Sequence, residues 1–296
     1  MTKILVTGGA GFIGSHLVKK LLKNYEVIAF DNLSTGKISN IPREVNFIRG
    51  DIRNKKDLEK IEKTNYVFHL AAQVSVPFSV SNPNIDAEIN ILGTINLLDW
   101  CKKNKVEKII YLSSAAVYGE PRYLPINEKH KTEPISPYGI SKLAAEKYLS
   151  LLENSIILRI ANVYGLNCEK GEPGVIPIFI SQIKENKPLT IFGDGTQTRD
   201  FVNVKDVVRV CISALKYDGK ERVFNIGSGK ETTINQIVEI FKKFRKNLKV
   251  SYLPKREGEI YRSFFDISKP KKELKFKPFV DLEKGIKELL TKENIL

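Results

Sequence analysis

A tyrosine and a lysine four positions apart, in Tyr138-Gly139-Ile140-Ser141-Lys142, are the residues of this chain best suited to move a proton. On a helix, positions i and i+4 share a face one turn apart. An ammonium held there favours a tyrosinate over a phenol and is expected to draw the Tyr138 pKa towards working pH. Upstream, Ser113-Ser114-Ala115-Ala116-Val117-Tyr118-Gly119 offers a hydroxyl from a strand end, Ser114, to share a substrate proton with Tyr138. Such a trio suits taking a proton from an alcohol while hydride leaves the same carbon. Surface helices also carry Tyr and Lys at this spacing, so the chemistry requires a hydride acceptor.

The N-terminus supplies a place for one. An apolar run, Ile4 to Thr7, leads into Gly8-Gly9-Ala10-Gly11-Phe12-Ile13-Gly14-Ser15 and then the helical pattern Leu17, Val18, Leu21, Leu22. Gly8 permits a tight turn, Gly11 lets the backbone approach a pyrophosphate, and Gly14 lets helix and strand pack closely. A helix N-terminus presents free N–H groups and a positive dipole end to phosphates. The next strand, Tyr25 to Phe30, ends in Asp31, twenty residues after Gly11. A carboxylate there accepts from both ribose hydroxyls of NAD and repels the 2′-phosphate of NADP.

These residues need a scaffold, and the apolar pattern describes one. Strands are expected near 4–7, 26–30, 46–48, 66–70, 109–113 and 155–160, with helices between them. Near-continuous apolar strands such as Ile109-Ile110-Tyr111-Leu112 belong to a parallel sheet covered on both faces. The fold class is therefore α/β, a doubly wound parallel sheet with its site at the carboxyl ends of the strands. After Gly165 the rhythm breaks into a loop-rich stretch. Residues 1–165 with 200–222 are expected to form the dinucleotide-binding domain, and 166–199 with 223–296 a smaller α/β cap. Asp200–Tyr217 is expected to return to the sheet.

Composition narrows the classes. The chain has 296 residues, enough for one large domain or two joined ones. Cys101, Cys168 and Cys211 follow neither metal-ligand nor disulfide spacing, so a reducing cytoplasm is expected. No apolar run reaches membrane-spanning length, and because Met1-Thr2-Lys3 leads straight into the expected first strand, no signal peptide is expected. The net charge of +14 is scattered over helix faces, with concentrations near Lys242–Lys249 and Lys269–Lys277. This pattern suits solvated faces better than a nucleic-acid surface. His16 and His69 read as core hydrogen-bonding residues, and His130 as a loop residue with no partner signal. No metal is expected.

Ordered matches to a known pattern run almost end to end: TGGAGFIG (7–14), DNLSTG (31–36), GDI (50–52), HLAAQ (69–73), Asn90, SSAAVYG (113–119) and YGISK (138–142). LRIANVYG (158–165), FGDGTQTRDFVNVKD (192–206), FNIGSG (224–229) and REGE (256–259) continue it. On these the chain resembles the extended short-chain dehydrogenase/reductase family, with a Rossmann sheet. Within it, the resemblance is to the NAD-dependent nucleotide-sugar epimerases and dehydratases, nearest the UDP-glucose 4-epimerase type. It implies tightly bound NAD. Asp51 and Ile52 would flank adenine, and Leu70, Ala71, Ala72 and Gln73 would pass under the pyrophosphate and nicotinamide ribose. Phe12, Ile13, Asn32, Ser34, Thr35, Gly36, Asn90 and Ala161 complete the cofactor set beside Gly8, Gly11, Gly14, Asp31, Tyr138 and Lys142. Asn90 would be a polar brace near the catalytic helix, or simply a cap or kink.

The resemblance also implies a sugar-nucleotide site. Asn162 would donate to the diphosphate, and Arg199 and Arg256 would bind phosphates with charge-assisted bonds. Leu189, Thr190 and Phe192 would line a uracil slot, Glu259 would accept from the uridine ribose, and Val175 and Ser263 complete the set with Ser114 and Tyr138. Gly174 stands where an asparagine is usual near the sugar, and Glu259 where an aspartate is usual. The implied reaction is transient oxidation at C4: Tyr138 takes the hydroxyl proton with help from Ser114, hydride passes to NAD, and the keto sugar turns over before reduction. Dehydratases need an acid–base pair beside the serine, where this chain has Ala115 and Ala116. A UDP-glucuronate epimerase or decarboxylase, with Arg262 meeting the carboxylate, stays open. So does a catalytically inactive dinucleotide-binding regulator, which the intact trio disfavours. Ser263 replaces a bulky tyrosine and leaves room for an N-acetyl group. A homodimer is implied through helices around Ile91–Cys101 and Gly139–Leu151, with Leu97, Leu98, Trp100, Tyr148 and Leu152 as its apolar residues.

Overall fold

We describe a computed structural model of the chain, for residues 2–166, 168, 174–255, 258 and 260–296. Its first half contains β1 (Lys3–Thr7), α1 (Phe12–Leu21), β2 (Glu26–Asp31), β3 (Asn46–Arg49), α2 (Lys55–Leu58), β4 (Tyr66–His69), α3 (Val76–Ser81), α4 (Pro83–Ala87), α5 (Gly93–Lys103), β5 (Lys108–Ser114) and α6 (Pro137–Ser150). The second half continues with β6 (Ser155–Ile160), β7 (Asn162–Tyr164), α7 (Val175–Lys184), β8 (Leu189–Phe192), β9 (Thr198–Arg199), β10 (Phe201–Asn203) and α8 (Val204–Lys216). It ends with β11 (Val223–Ile226), β12 (Thr232–Thr233), α9 (Ile234–Phe244), β13 (Val250–Leu253), α10 (Ser268–Glu273) and α11 (Leu282–Lys292).

Among the described residues, seven strands form one parallel sheet in the order β3-β2-β1-β4-β5-β6-β11. The alternation of side chains explains the continuous apolar runs. Ile4 and Val6 of β1, with Ile110 and Leu112 of β5, enter a core under α1 and α8. Leu5, Ile109 and Tyr111 point the other way, into a core with Leu97, Leu98 and Ala145 from α5 and α6. Both faces are buried, so each strand needs apolar residues at every position. Strand order reverses between β1 and β4, and the crevice beyond their carboxyl ends is where such sheets bind ligands.

The expected domain boundary at 222/223 is corrected by β11. This strand pairs with β6 from Val223 to Ile226 and closes the sheet. Leu274 and Phe276 join the core beneath α1 and α8, so chain beyond 223 also supports the sheet. The return of residues 200–217 is seen in α8, which packs on α1 and β5. A separate core holds Phe179, Leu189, Ile191, Ile237, Phe241 and Leu289 from α7, β8, α9 and α11.

The expected association residues divide. Leu97, Leu98 and Trp100 are turned inward and buried, because their side of α5 faces the sheet. Leu152 is half-buried, packed against the same core. Tyr148 is exposed, and so are Leu92, Ile140 and Leu151, the last at 79%.

Candidate active site

The glycine turn joins β1 to α1. Gly8 has φ +69° and its N–H donates to Phe30 O at 2.8 Å. A Cβ on Gly8 would lie 2.7 Å from the Ala71 nitrogen, and one on Gly14 would lie 2.0 Å from Gly8 O. Gly14 is thus required by helix–strand packing. A Cβ on Gly11 would meet only Gly8 O, at 3.3 Å, so that side of the turn is open to a ligand. Gly11 caps α1 without a side-chain hydrogen bond, and the first turn holds no acidic residue. The helix end therefore keeps its positive potential for an anion.

Asp31 ends β2 at 8% exposure. Its carboxylate accepts from Ala10 N at 3.0 Å and Leu33 N at 2.8 Å. Burial pushes its pKa up, opposed by the backbone N–H groups of Leu33, Ala10 and Gly11. Asn32 donates to Asp51 at 2.9 Å, and Asn32 Oδ1 accepts from Ser34 N. Thr35 is exposed, and Gly36 sits against Ala10, where a Cβ would come within 2.8 Å of backbone. Arg53 holds Asp51 down to about 2. The Ile52 side chain packs into the core against Gly93 at 4% exposure, while Asp51 is half-buried. Phe12 is buried and Ile13 half-buried in the first turn of α1, whereas Leu70, Ala71, Ala72, Gln73 and Ala161 are half-buried beyond the ends of β4 and β6. A turn open at Gly11, a first helical turn without acidic residues and a buried carboxylate at the end of β2 fit a dinucleotide.

The proton-handling residues converge from β5 and α6. Ser114 closes β5, and its Oγ accepts from Ala116 N at 3.2 Å. Ser136 Oγ caps α6 through Gly139 N, with Pro137 at the first helical position. Ser79 Oγ accepts from Tyr138 N at 3.1 Å, tying this turn to α3. Tyr138 is 8% exposed. Burial pushes its phenol up to about 12, only partly offset by the neighbouring Ser114 side chain. Lys142 donates to Leu112 O at 2.6 Å and lies 4.2 Å from the centroid of Tyr111. Burial brings it down to about 7. Here the expectation from spacing is corrected. Lys142 does not lower the Tyr138 pKa in the protein alone, because its ammonium is turned onto a carbonyl and desolvation dominates both groups.

Several residues that shape the site had no role in the sequence reading. Glu146 follows Lys142 by one further turn of α6 and meets Arg159 of β6 at 2.6 Å, with both side chains buried. Arg159 also donates to Tyr118 OH at 2.9 Å. An arginine inside the apolar run Ser155–Ile160 was the available signal, since a buried guanidinium demands a partner. Asn90 lies in a π-helical turn, Glu88–Leu92, between α4 and α5. Its Oδ1 accepts from Gln73 N, and its Nδ2 reaches Gln73 O, Asp86 and Ser141. Its amide is thus engaged by protein, tying the Gln73 loop to α4 and α6. π-turns of this kind recur at functional sites.

The histidines are structural. His69 is fully buried between Thr7 Oγ1 at 2.8 Å and Thr94 Oγ1 at 3.0 Å, and burial lowers it to about 3. His16 reaches Leu166 O at 2.8 Å. His130 does have partners: its Nε2 accepts from Arg122 N at 2.9 Å, and its Nδ1 lies 2.8 Å from Lys131 O.

On the sugar-nucleotide side, Asn162 in β7 bonds the Asp200 carbonyl through its backbone N–H at 3.0 Å. Thr190 and Phe192 lie on the half-buried face of β8. Leu189 is corrected: it points to the opposite face and is wholly buried in the second core, so its side chain cannot line a slot. Val175 opens α7 and Arg199 lies in β9, both half-buried. Ser263 is half-buried between Tyr261, whose carbonyl accepts from Thr198 N, and Phe264, whose carbonyl accepts from Ile126 N. Arg256 and Glu259 lie outside the described residues. Arg262 is bonded to both oxygens of Glu231, at 2.7 and 2.8 Å. No helix among the described residues is long and apolar enough to cross a membrane.

Residues 4–227 match the family model of the NAD dependent epimerase/dehydratase family. A putative UDP-glucose 4-epimerase of Methanocaldococcus jannaschii is 48% identical, covering 97% of each chain. A UDP-glucuronate 4-epimerase of Thermodesulfobacterium geofontis is 37% identical over 98% of this chain and 96% of its own. Among solved structures, UDP-glucose 4-epimerase of Thermotoga maritima with UDP-glucose superposes with TM-score 0.94 at 42% identity, covering 98% of this chain and 99% of that one. UDP-N-acetylglucosamine 4-epimerase of Methanobrevibacter ruminantium superposes with TM-score 0.91 at 37% identity, with the same coverage. A dinucleotide turn, a carboxylate after β2 and a Ser–Tyr–Lys constellation on one parallel sheet thus agree with the sequence comparisons, and the chain belongs to the NAD-dependent epimerase/dehydratase family, with NAD as its cofactor.

Proposed function

We propose that the protein inverts C4 of UDP-hexoses, acting on UDP-glucose/UDP-galactose and also on their N-acetylated counterparts. The observation that carries this reading is the buried Tyr138 phenol beside Ser114 at the carboxyl end of β5, with Lys142 one turn behind. Bound NAD supplies a hydride acceptor and donor together with a positive ring charge. Tyr138 accepts the C4 hydroxyl proton and later returns it to the opposite face of the sugar, and Ser114 holds that hydroxyl in line. With its pKa near 12 in the protein alone, Tyr138 waits as a phenol until positive charge enters the pocket. Lys142, released from Leu112 O, would hold a ribose hydroxyl. Ala115 and Ala116 leave no acid–base pair beside Ser114 for dehydration. Asn162, Arg199, Thr190 and Phe192 would seat the UDP moiety between the sheet and the second core, and Asp31 would select NAD over NADP.

Substrate breadth rests on Ser263, which leaves space beside the sugar for an N-acetyl group. An uncharged hexose is favoured over a uronate because Arg262 is already bound to Glu231. Purified protein assayed against UDP-Glc, UDP-Gal, UDP-GlcNAc, UDP-GalNAc and UDP-glucuronate tests this. Ser263→Tyr should lose UDP-GalNAc selectively, lowering its kcat/KM about tenfold or more relative to UDP-Gal. Equal loss of both would defeat the gate, and turnover of UDP-glucuronate alone would move the assignment to the uronates. We also propose a homodimer through Leu92, Ile140, Tyr148 and Leu151.

A further inference from the structure

Two stretches of the chain have no task in the chemistry above: Asp200, which follows Arg199, and Gly227-Ser228-Gly229, which follows β11. The fold brings them together. Asp200 lies between β9 and β10 and is 2% exposed. Its Oδ1 accepts from Ser228 N and from Ser228 Oγ, each at 2.6 Å. Its Oδ2 accepts from Gly229 N at 3.0 Å and from Phe265 N at 3.3 Å. All four donors are neutral. Burial raises the Asp200 pKa against the pull of these donors. Two glycines allow the close approach. A Cβ on Gly227 would lie 2.3 Å from Asp200 Oδ2, and Gly229 has φ +72°. A carboxylate taken out of water costs much unless its oxygens are fully used, and four convergent donors leave it a single geometry.

Three pieces of the sugar-nucleotide side meet at this residue. Arg199 precedes it in the chain. The Asp200 carbonyl accepts from Asn162 N at 3.0 Å. Through Phe265 N the carboxylate holds the segment that carries Ser263, two residues away. Glu231, just beyond the same turn, holds that segment from its other end. It binds Arg262 at 2.7 and 2.8 Å and accepts from Thr198 Oγ1 at 2.7 Å. Ser263 is therefore anchored on both sides. We propose that Asp200 is a positioning residue for substrate binding: its carboxylate, cradled by the Gly227–Gly229 turn, sets Arg199, Asn162 and the Ser263 segment in one preformed arrangement. The inference rests on the sugar-nucleotide reading of those three residues. A preformed site loses no affinity to the ordering of its loops. Loosening it should raise KM and leave the chemical step at Tyr138 in place.

Asp200→Asn keeps the shape but turns an NH2 group towards donors that need an acceptor. The probe is UDP, titrated by calorimetry into NAD-loaded protein, with kinetics on UDP-galactose beside it. UDP should bind about tenfold more weakly and KM should rise to match, while kcat changes by less than about threefold. Hydrogen exchange should quicken at residues 226–230 and 261–266 and stay as it was in the parallel sheet. Unchanged UDP affinity in a folded Asp200→Asn protein would overturn the proposal. So would a fall in kcat at constant KM, or faster exchange throughout the chain, as a merely structural residue would give. Should that variant not fold, Ser228→Ala and Ser228→Thr serve instead. The alanine should raise KM about threefold or more and the threonine, which keeps the hydroxyl, should restore it; equal KM values in the two overturn the idea. Wild-type protein that binds no UDP would refute the sugar-nucleotide reading and this inference with it, whereas equal affinity in wild type and variant refutes the inference alone.

Discussion

At the scale of single residues, the site is a set of ionisable groups stripped of water. Tyr138→Phe should lower kcat about 10²–10⁴-fold while changing UDP-sugar affinity only a few-fold, because the phenol acts chiefly in the transition state. Near-normal turnover would show that the proton acceptor has been misassigned. Lys142 has a second consequence, for stability. Its folded pKa is about 7 against an ordinary 10.5. Below pH 7 folded and unfolded chains both hold the proton, and the folded state carries the full burial penalty. Between about 7 and 10.5 the unfolded chain binds more protons, so stability rises with pH, by about 2–3 kcal/mol at pH 9. Melting temperatures of nucleotide-free protein near pH 6.5 and 9 should show this rise in the wild type and its absence in Lys142→Met.

At the scale of elements, α6 is held by more than its apolar face. Tyr138, Lys142 and Glu146 descend one side of the helix at i, i+4 and i+8, and the lowest of them is locked to β6 by Arg159. Both partners are buried, so removing one leaves the other charge unpaired. Glu146→Ala should destabilise the protein by about 3–5 kcal/mol in urea unfolding, whereas the paired change Glu146→Leu with Arg159→Met should restore most of it. Equal losses in the single and double variants would mean that packing, not charge, holds the helix. The π-turn at Glu88–Leu92 does a similar service from the other side, aiming Asn90 at both Gln73 and Ser141.

At the scale of the whole molecule, α5 and α6 lie side by side on the sheet. Leu92, just ahead of α5, and Ile140, Tyr148 and Leu151 on and after α6 remain exposed. The two-fold interface proposed above would cover these exposed apolar residues. The expected result is a dimeric mass by light scattering at micromolar concentration, shifted to monomer by Leu151→Glu with the melting temperature nearly unchanged. A monomeric wild type would refute the dimer.

The glycine turn and the carboxylate that ends β2 were legible in the residues themselves because their requirements are local. A turn at Gly8, a close approach at Gly14 and a carboxylate after β2 are fixed by backbone sterics and strand length, which short sequence windows contain. Strand count and the reversal of order at β1 and β4 nearly followed too. The exception, β11, is a four-residue edge strand whose partner lies far away in sequence. What only the tertiary structure decided are the quantities that depend on depth and neighbours. Leu189 reads as a slot residue until the alternation of β8 turns it into a core. The four-residue spacing places Lys142 behind Tyr138, yet burial and the Leu112 carbonyl reverse the expected effect on the phenol. The Glu146–Arg159 pair has no motif at all: its weight comes from two opposite charges meeting out of water, and that depth is set by chain remote from both.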